Sequence, residues 1–288
     1  MMEHQGENQT NKEQAPHQKK LQEKAKDAKG SKSYSDILST VIHEGESMFA
    51  LKNKTVLLSS ILAGLEIGFS YLLVCALYYF LEGALPDAAI FKLFSLVYPV
   101  GFIMVIVGKS ALFTEQTSIL VLPVLNGQRS IWQLLRIWAD VIIGNVVGGT
   151  IFALFIAFLA PKINLFTHQT MVDVGLHVLN YSGLVIFLSA LTAGWLMGLL
   201  TWLLRSVINS ITSFVLIFMI TGVIGFGGFH HSIVGNIEVF GAFLFSDSIS
   251  FLDYIKFLLL ALLGNSVGGG IVVALLKYRV FQSNFAEE

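Results

Sequence analysis

The chain has 288 residues, 55% of them apolar and only 13% charged, with a mean hydropathy of +0.72 and 26 glycines. That composition lies far outside the soluble globular range and all but excludes a soluble enzyme. The net charge of -1, with no basic cluster in the apolar part, gives no support for nucleic-acid binding.

The charge is unevenly placed. Residues 1–54 hold 9 Lys/Arg and 8 Asp/Glu, and the rest of the chain holds 9 and 11. Residues 1–33, rich in Gln, Lys, Glu and Asn, bury too little apolar surface to offset chain entropy and are expected to be disordered. No short apolar stretch with a small-residue cleavage site marks a signal peptide. From Tyr34 to Leu51, Ile37, Leu38, Val41, Ile42, Met48 and Phe49 follow a helical spacing, which predicts an amphipathic helix at the membrane surface or a solvated lead-in helix. Residues 1–54 are read as a cytoplasmic tail, 55–280 as a transmembrane channel domain and 281–288 as a second short tail.

Six apolar runs long enough to cross about 30 Å of hydrocarbon follow, at 55–81, 89–124, 138–160, 183–204, 211–246 and 254–276. Cys75 lies in the first, so neither a disulfide framework nor a cysteine metal site is expected, and no cofactor is. The second and fifth runs are too long for one helix, and each has an awkward middle, Gly108-Lys109-Ser110 and Gly225–His231. Both read as interrupted helices, because irregular backbone at membrane depth survives only inside protein or along a cavity. Arg129, Arg136, Arg205, Lys277 and Arg279 fall on alternate connections with the tail, which predicts a multi-pass protein of the cell membrane with both termini cytoplasmic.

Gly144-Asn145-Val146-Val147-Gly148-Gly149 in the third run recurs as Gly264-Asn265-Ser266-Val267-Gly268-Gly269 in the sixth. Three spans per copy is an odd number, so the copies enter the membrane in opposite senses, and such pairs place the binding path at their interface. Close helix packing accounts for the glycines. Asn145 and Asn265 ask for more, and each is suited to cap the free backbone groups of a broken helix.

His230 and His231 sit in the middle of the fifth run, where an ionisable side chain is costly and usually functional. Lys109 beside the first break would either snorkel or offer an anion a positive field. Glu66, Glu115 and Asp140 are intramembrane carboxylates suited to pairing or span-edge roles. The absence of HExxH, GxSxG and Cys-x-x-Cys motifs removes the usual protease, hydrolase and deaminase readings. A membrane enzyme using Ser110 or the histidines is left as a remote alternative.

Leu112-Phe113-Thr114, Gly144-Asn145-x-Val-Gly, Gly228-Phe229-x-His231-Ser232 and Gly264-Asn265-x-Val-Gly-Gly together resemble the formate/nitrite transporter family over about residues 36–280. The resemblance implies an all-α, aquaporin-like six-helix protomer, a homopentamer with one pore per subunit, and passage of small monovalent anions or weak acids. It places the central pore histidine at His231 and the pore-loop threonine at Thr114. It also places hydrophobic constrictions at Phe102, Leu112 and Ile224. The chain departs from the family pattern at His230 and Ala111, where acidic residues are usual, and at His177 and Val178, where a lysine is. It reads as a divergent subgroup, so formate does not follow as the substrate. A proton-linked anion pore working through His231, with Thr114 and Lys109 holding the anion, is the leading expectation. A passive pore for hydrosulfide, ammonia or another small solute is the alternative.

Overall fold

The computed structural model describes residues 34–285. The disorder expected of residues 1–33 lies outside the described residues, as do positions 286–288. Over the described residues the chain is helical, with a first helix α1 (Tyr34–Phe49) leading into α2 (Asn53–Leu81). The second crossing is made by α3 (Asp87–Leu93), a 3-10 turn (Phe94–Leu96) and α4 (Pro99–Gly108), then breaks and resumes as α5 (Phe113–Ile119) and α6 (Val121–Leu125). The third crossing is α7 (Ile131–Leu159), followed by α8 (His168–Leu179) in the 161–182 connection, a helix not expected from the sequence. The fourth is α9 (Gly183–Ser206). The fifth is α10 (Ser210–Gly227), a break, and α11 (Ser232–Phe243). The sixth is α12 (Phe251–Ser266), which widens into a π-helix over Val267–Leu275 and ends in α13 (Leu276–Phe285).

Six of these stretches are long and apolar enough to cross a membrane, and two shorter apolar helices, Phe113–Leu125 and Ser232–Phe243, complete the broken crossings. The outward surface carries Phe80, Trp132, Ile211 and Leu252, each at least 74% exposed, as a lipid-facing surface requires.

The two halves are built alike. Ser130 opens α7 with a capping box to Gln133, and Ser250 opens α12 with the same box to Asp253. Within each half the third crossing lies on the first through its glycines. A Cβ on Gly148 would collide with the Ile61 carbonyl, and one on Gly268 with the Leu191 carbonyl, so the GNxVGG motifs are close-packing surfaces. Each broken helix also ends in one way. Lys109 (φ 59°) and Gly228 (φ 64°) stop α4 and α10 in the left-handed region. In each, the next amide reaches back to a carbonyl in the last turn, Ser110 N–H to Val105 O at 3.0 Å and Phe229 N–H to Ile224 O at 3.0 Å.

The surface-helix expectation for α1 needs correction. Its apolar face, Ile37, Leu38 and Val41, is buried in a cluster with Ile119, Leu122, Trp202, Ala274, Tyr278 and Phe281. Protein covers that face, because the ends of α5, α6, α9 and α13 present their own apolar side chains there. Ion pairs fix the helix in place: Glu46 takes Arg129 through both carboxylate oxygens, and Glu44 takes Arg205. The Arg129 guanidinium holds the Glu46 carboxyl below the usual carboxylate range.

Candidate functional site

The two breaks meet at the centre of the bundle, and an asparagine from α7 or α12 holds each one. Asn145 Oδ1 accepts from Phe113 N–H at 2.8 Å, and its Nδ2 donates to the carbonyls of Ser60 and Ala111, both at 2.8 Å. Asn265 repeats the pattern: Oδ1 accepts from Ser232 N–H at 2.8 Å, and Nδ2 donates to Ala190 O at 2.7 Å and His230 O at 3.1 Å. Each amide thus satisfies a free N–H at the start of a short helix and a carbonyl of the break, and ties both to a carbonyl inside α2 or α9.

Thr114 and His231 sit at these two helix starts. Thr114 Oγ1 and His231 Nε2 are 2.7 Å apart, and both side chains are buried. The Val234 amide donates to His231 Nδ1 at 3.3 Å, so the ring carries its proton on Nε2 and donates it to Thr114. The Thr114 hydroxyl hydrogen is then free to bind another acceptor. Phe102 closes on the imidazole edge to face, with ring centres 4.9 Å apart. Phe102, Leu112 and Ile224 are all fully buried, a dry apolar surround for the polar pair.

His230 turns the other way. Its Nε2 donates to Val178 O at 2.8 Å, its Nδ1 accepts from the Ser189 hydroxyl at 2.8 Å, and its own amide donates to that hydroxyl oxygen at 3.1 Å. With both ring nitrogens committed, His230 ties the break to α9 and the end of α8. Lys109 is not brought to the site. The buried side of its break is filled by Ser110, Ala111 and Leu112, while the lysine side chain is exposed. The hydroxyl that meets His231 belongs to Thr114, not Ser110.

A cavity of about 40 Å³ lies against His231, lined also by Ile224, Tyr98, His230, His177 and Glu238. That space holds about one water or one very small solute. His177 is shared with a wider vestibule of about 350 Å³ that includes Asp87 and Asp173, so this ring stands between the two spaces. It stacks on Phe91 with centroids 3.4 Å apart and planes within 7°. Burial, then the fields of His230 and Lys92, hold His177 below the usual histidine value, with Asp87 opposing them.

Glu238 is a cavity-lining group not expected from the sequence. A signal was present: it is a lone acid in the fifth apolar run, seven residues after His231 and so on the same face of α11. Equally unexpected is the partner of Glu115, whose carboxylate accepts from Arg205 at 3.0 Å while Arg205 pairs with Glu44 as well. That contact joins residues 90 apart in sequence, which no local pattern reveals.

Residues 35–279 match the family model described as formate/nitrite transporter. Inner membrane protein YfdC of Escherichia coli is 30% identical over 248 residues, covering 85% of this chain and 78% of that protein. The solved structure of an FNT family ion channel superposes with a TM-score of 0.75 at 21% identity, covering 85% of this chain and 99% of that one. That of a pentameric formate channel with formate bound superposes with a TM-score of 0.68 at 22% identity, covering 80% and 98%.

Proposed function

Starting from a chain that belongs to the formate/nitrite transporter family, we propose that it is a proton-linked channel for small monovalent anions of weak acids, with His231 at the centre of its pore. The observation that carries this reading is the 2.7 Å contact between His231 Nε2 and Thr114 Oγ1 inside an apolar surround. His231 lines the small cavity, and Thr114, which accepts from its Nε2–H, keeps its own hydroxyl hydrogen to offer an anion's oxygen.

A bare carboxylate does not cross Phe102, Leu112 and Ile224 cheaply, since removing it from water costs several kcal/mol even after relaxation. Its neutral acid does. For an acid of pKa about 3.8, holding the proton at pH 7 costs about 4.4 kcal/mol, so protonation is best deferred to the constriction itself. In this reading the anion is drawn in by the donors at the two helix starts, is neutralised beside His231, and passes as the acid.

We place the protein in the cell membrane with both termini cytoplasmic, and propose a homopentamer with a pore in each subunit. The alternate placement of Arg129, Arg136, Arg205, Lys277 and Arg279 supports the orientation, and the likeness in fold to a pentameric formate channel supports the assembly.

The experiment is a stopped-flow screen in vesicles containing the purified protein, with formate, nitrite, acetate, lactate, hydrosulfide and ammonia offered in turn. Uptake of one or more weak acids above empty vesicles, accompanied by a proton, is expected. Uptake confined to ammonia refutes the anion reading.

A further inference from the structure

One carboxyl group stands in the pore with no part in the anion site formed by His231 and Thr114. Glu238 lies two helical turns beyond His231 on the same face of α11, about 10 Å further along the axis. It is only 6% exposed and lines the small cavity that His231 also lines. Among the described residues, no lysine or arginine lines that cavity. Tyr71 and Cys75 face Glu238 from α2 and Tyr98 from the start of α4. His177 of α8 and His230 share the cavity, and each is hydrogen-bonded or stacked elsewhere. From α7, Gly149 packs on Asn236 and Ile237, and from α12, Tyr254 donates to Asn236. Among the described residues, ion pairs engage Glu44, Glu46 and Glu115 but not Glu238.

A carboxylate removed from water with no cation beside it is costly, whereas the neutral acid carries a proton without carrying charge. His231 is less suited to give one up. Its Nδ1 is occupied by the Val234 amide, so an added proton there would face an N–H donor. The Nε2–H of a neutral imidazole is far too weak an acid to neutralise a carboxylate. It binds the anion well and protonates it poorly.

Resting on the weak-acid reading above, we infer that Glu238 is the proton donor of the pore, serving small monocarboxylates that enter the cavity it shares with His231. In the step, the O–H bond of the Glu238 carboxyl breaks and a new O–H bond forms on the bound anion, directly or through one water. The products are a neutral acid and a Glu238 carboxylate, so the charge of the cavity is unchanged. Donor and acceptor are both carboxyl groups inside the same dry cavity, so the cost of burying a carboxylate falls on either side of the transfer alike. The neutral acid moves on past Phe102 and Leu112. A proton from the vestibule water, entering past His177, restores the carboxyl. Chloride, the anion of a strong acid, has no way to accept the proton and is refused.

The test uses the full chain in vesicles with an internal pH dye, a formate gradient, and outer pH 6 and 7.5. Wild type is expected to acidify the interior faster at pH 6 and to exclude chloride. Glu238→Gln is expected to slow formate entry at least tenfold and to flatten the pH dependence, while Glu238→Asp keeps the dependence. A folded Glu238→Gln protein with the wild-type rate and pH profile overturns the assignment and leaves the weak-acid reading intact. A wild type no faster than empty vesicles overturns that reading itself. Should the Gln variant not assemble, difference infrared spectra of wild type and Glu238→Asp decide the matter. A neutral-carboxyl band that responds to formate and shifts in the Asp variant supports the assignment, and its absence from the wild type overturns it.

Discussion

Replacing Asn265 by alanine removes three buried hydrogen bonds: Ser232 N–H and His230 C=O at the break lose the partner the amide gave them, and Ala190 C=O inside α9 loses its second donor. Hydrogen bonds between membrane helices are worth on the order of 0.6–1.7 kcal/mol each, so three of them amount to about 2–5 kcal/mol. With about 2–4 °C per kcal/mol for a chain of this order of size, the melting temperature in nanodiscs should fall by roughly 4–20 °C. Asn265→Asp is the sharper test. It keeps an oxygen for Ser232 N–H, but sets a carboxylate against the carbonyl oxygens of Ala190 and His230, so it should be at least as damaging as alanine. Asn145→Ala should match Asn265→Ala, because the two amides make the same three bonds. A melting temperature within about 1 °C of wild type for Asn265→Asp would overturn this assignment, since it would mean the two donated bonds contribute nothing.

Lys109 holds φ 59° with an exposed side chain, and a non-glycine residue there costs roughly 1–2 kcal/mol, so Lys109→Gly should raise stability by about 1 kcal/mol in thermal melts. Arg205→Met should destabilise by about 3–5 kcal/mol, because it strands the Glu115 carboxylate, which is only 10% exposed. Adding Glu115→Leu should recover most of that loss, and a double-mutant cycle measures the coupling. The Glu46 carboxyl is held down by Arg129, so its contribution is present above the unfolded carboxylate value and is lost as pH falls through the lower folded value. Melts of wild type and Arg129→Gln should therefore differ at neutral pH and converge below about pH 4.

The crossings were legible because a membrane span is a property of a continuous window, and length and hydropathy report it directly. The breaks were legible for the opposite reason: Gly108-Lys109-Ser110 and Gly225–His231 are polar or glycine-rich where lipid would tolerate neither, and the chain does leave its helices at Lys109 and Gly228. What helix periodicity does not encode is which surface covers a stripe. The apolar face of α1 reads alike whether lipid or protein lies on it, and here the ends of α5, α6, α9 and α13 do. Helix spacing likewise did not separate adjacent His230 and His231, although the family resemblance singled out His231. They differ because Ser189 and Val178, far away in the chain, claim one ring, while Thr114 meets the other. Glu238 was written two turns from His231, but its weight comes from having no lysine or arginine beside it in the cavity, which only the packed bundle displays.

The role of His231 in the pore is tested most closely by formate-driven, proton-accompanied uptake with His231→Phe in vesicles, against wild type and empty vesicles at equal protein incorporation. A phenylalanine keeps the bulk of the ring that Phe102 packs on and removes the Nε2–H donor beside Thr114. A donor that holds the anion at the constriction predicts a rate at least tenfold below wild type, equivalent to about 1.4 kcal/mol or more in the barrier. Uptake at the wild-type rate would contradict it.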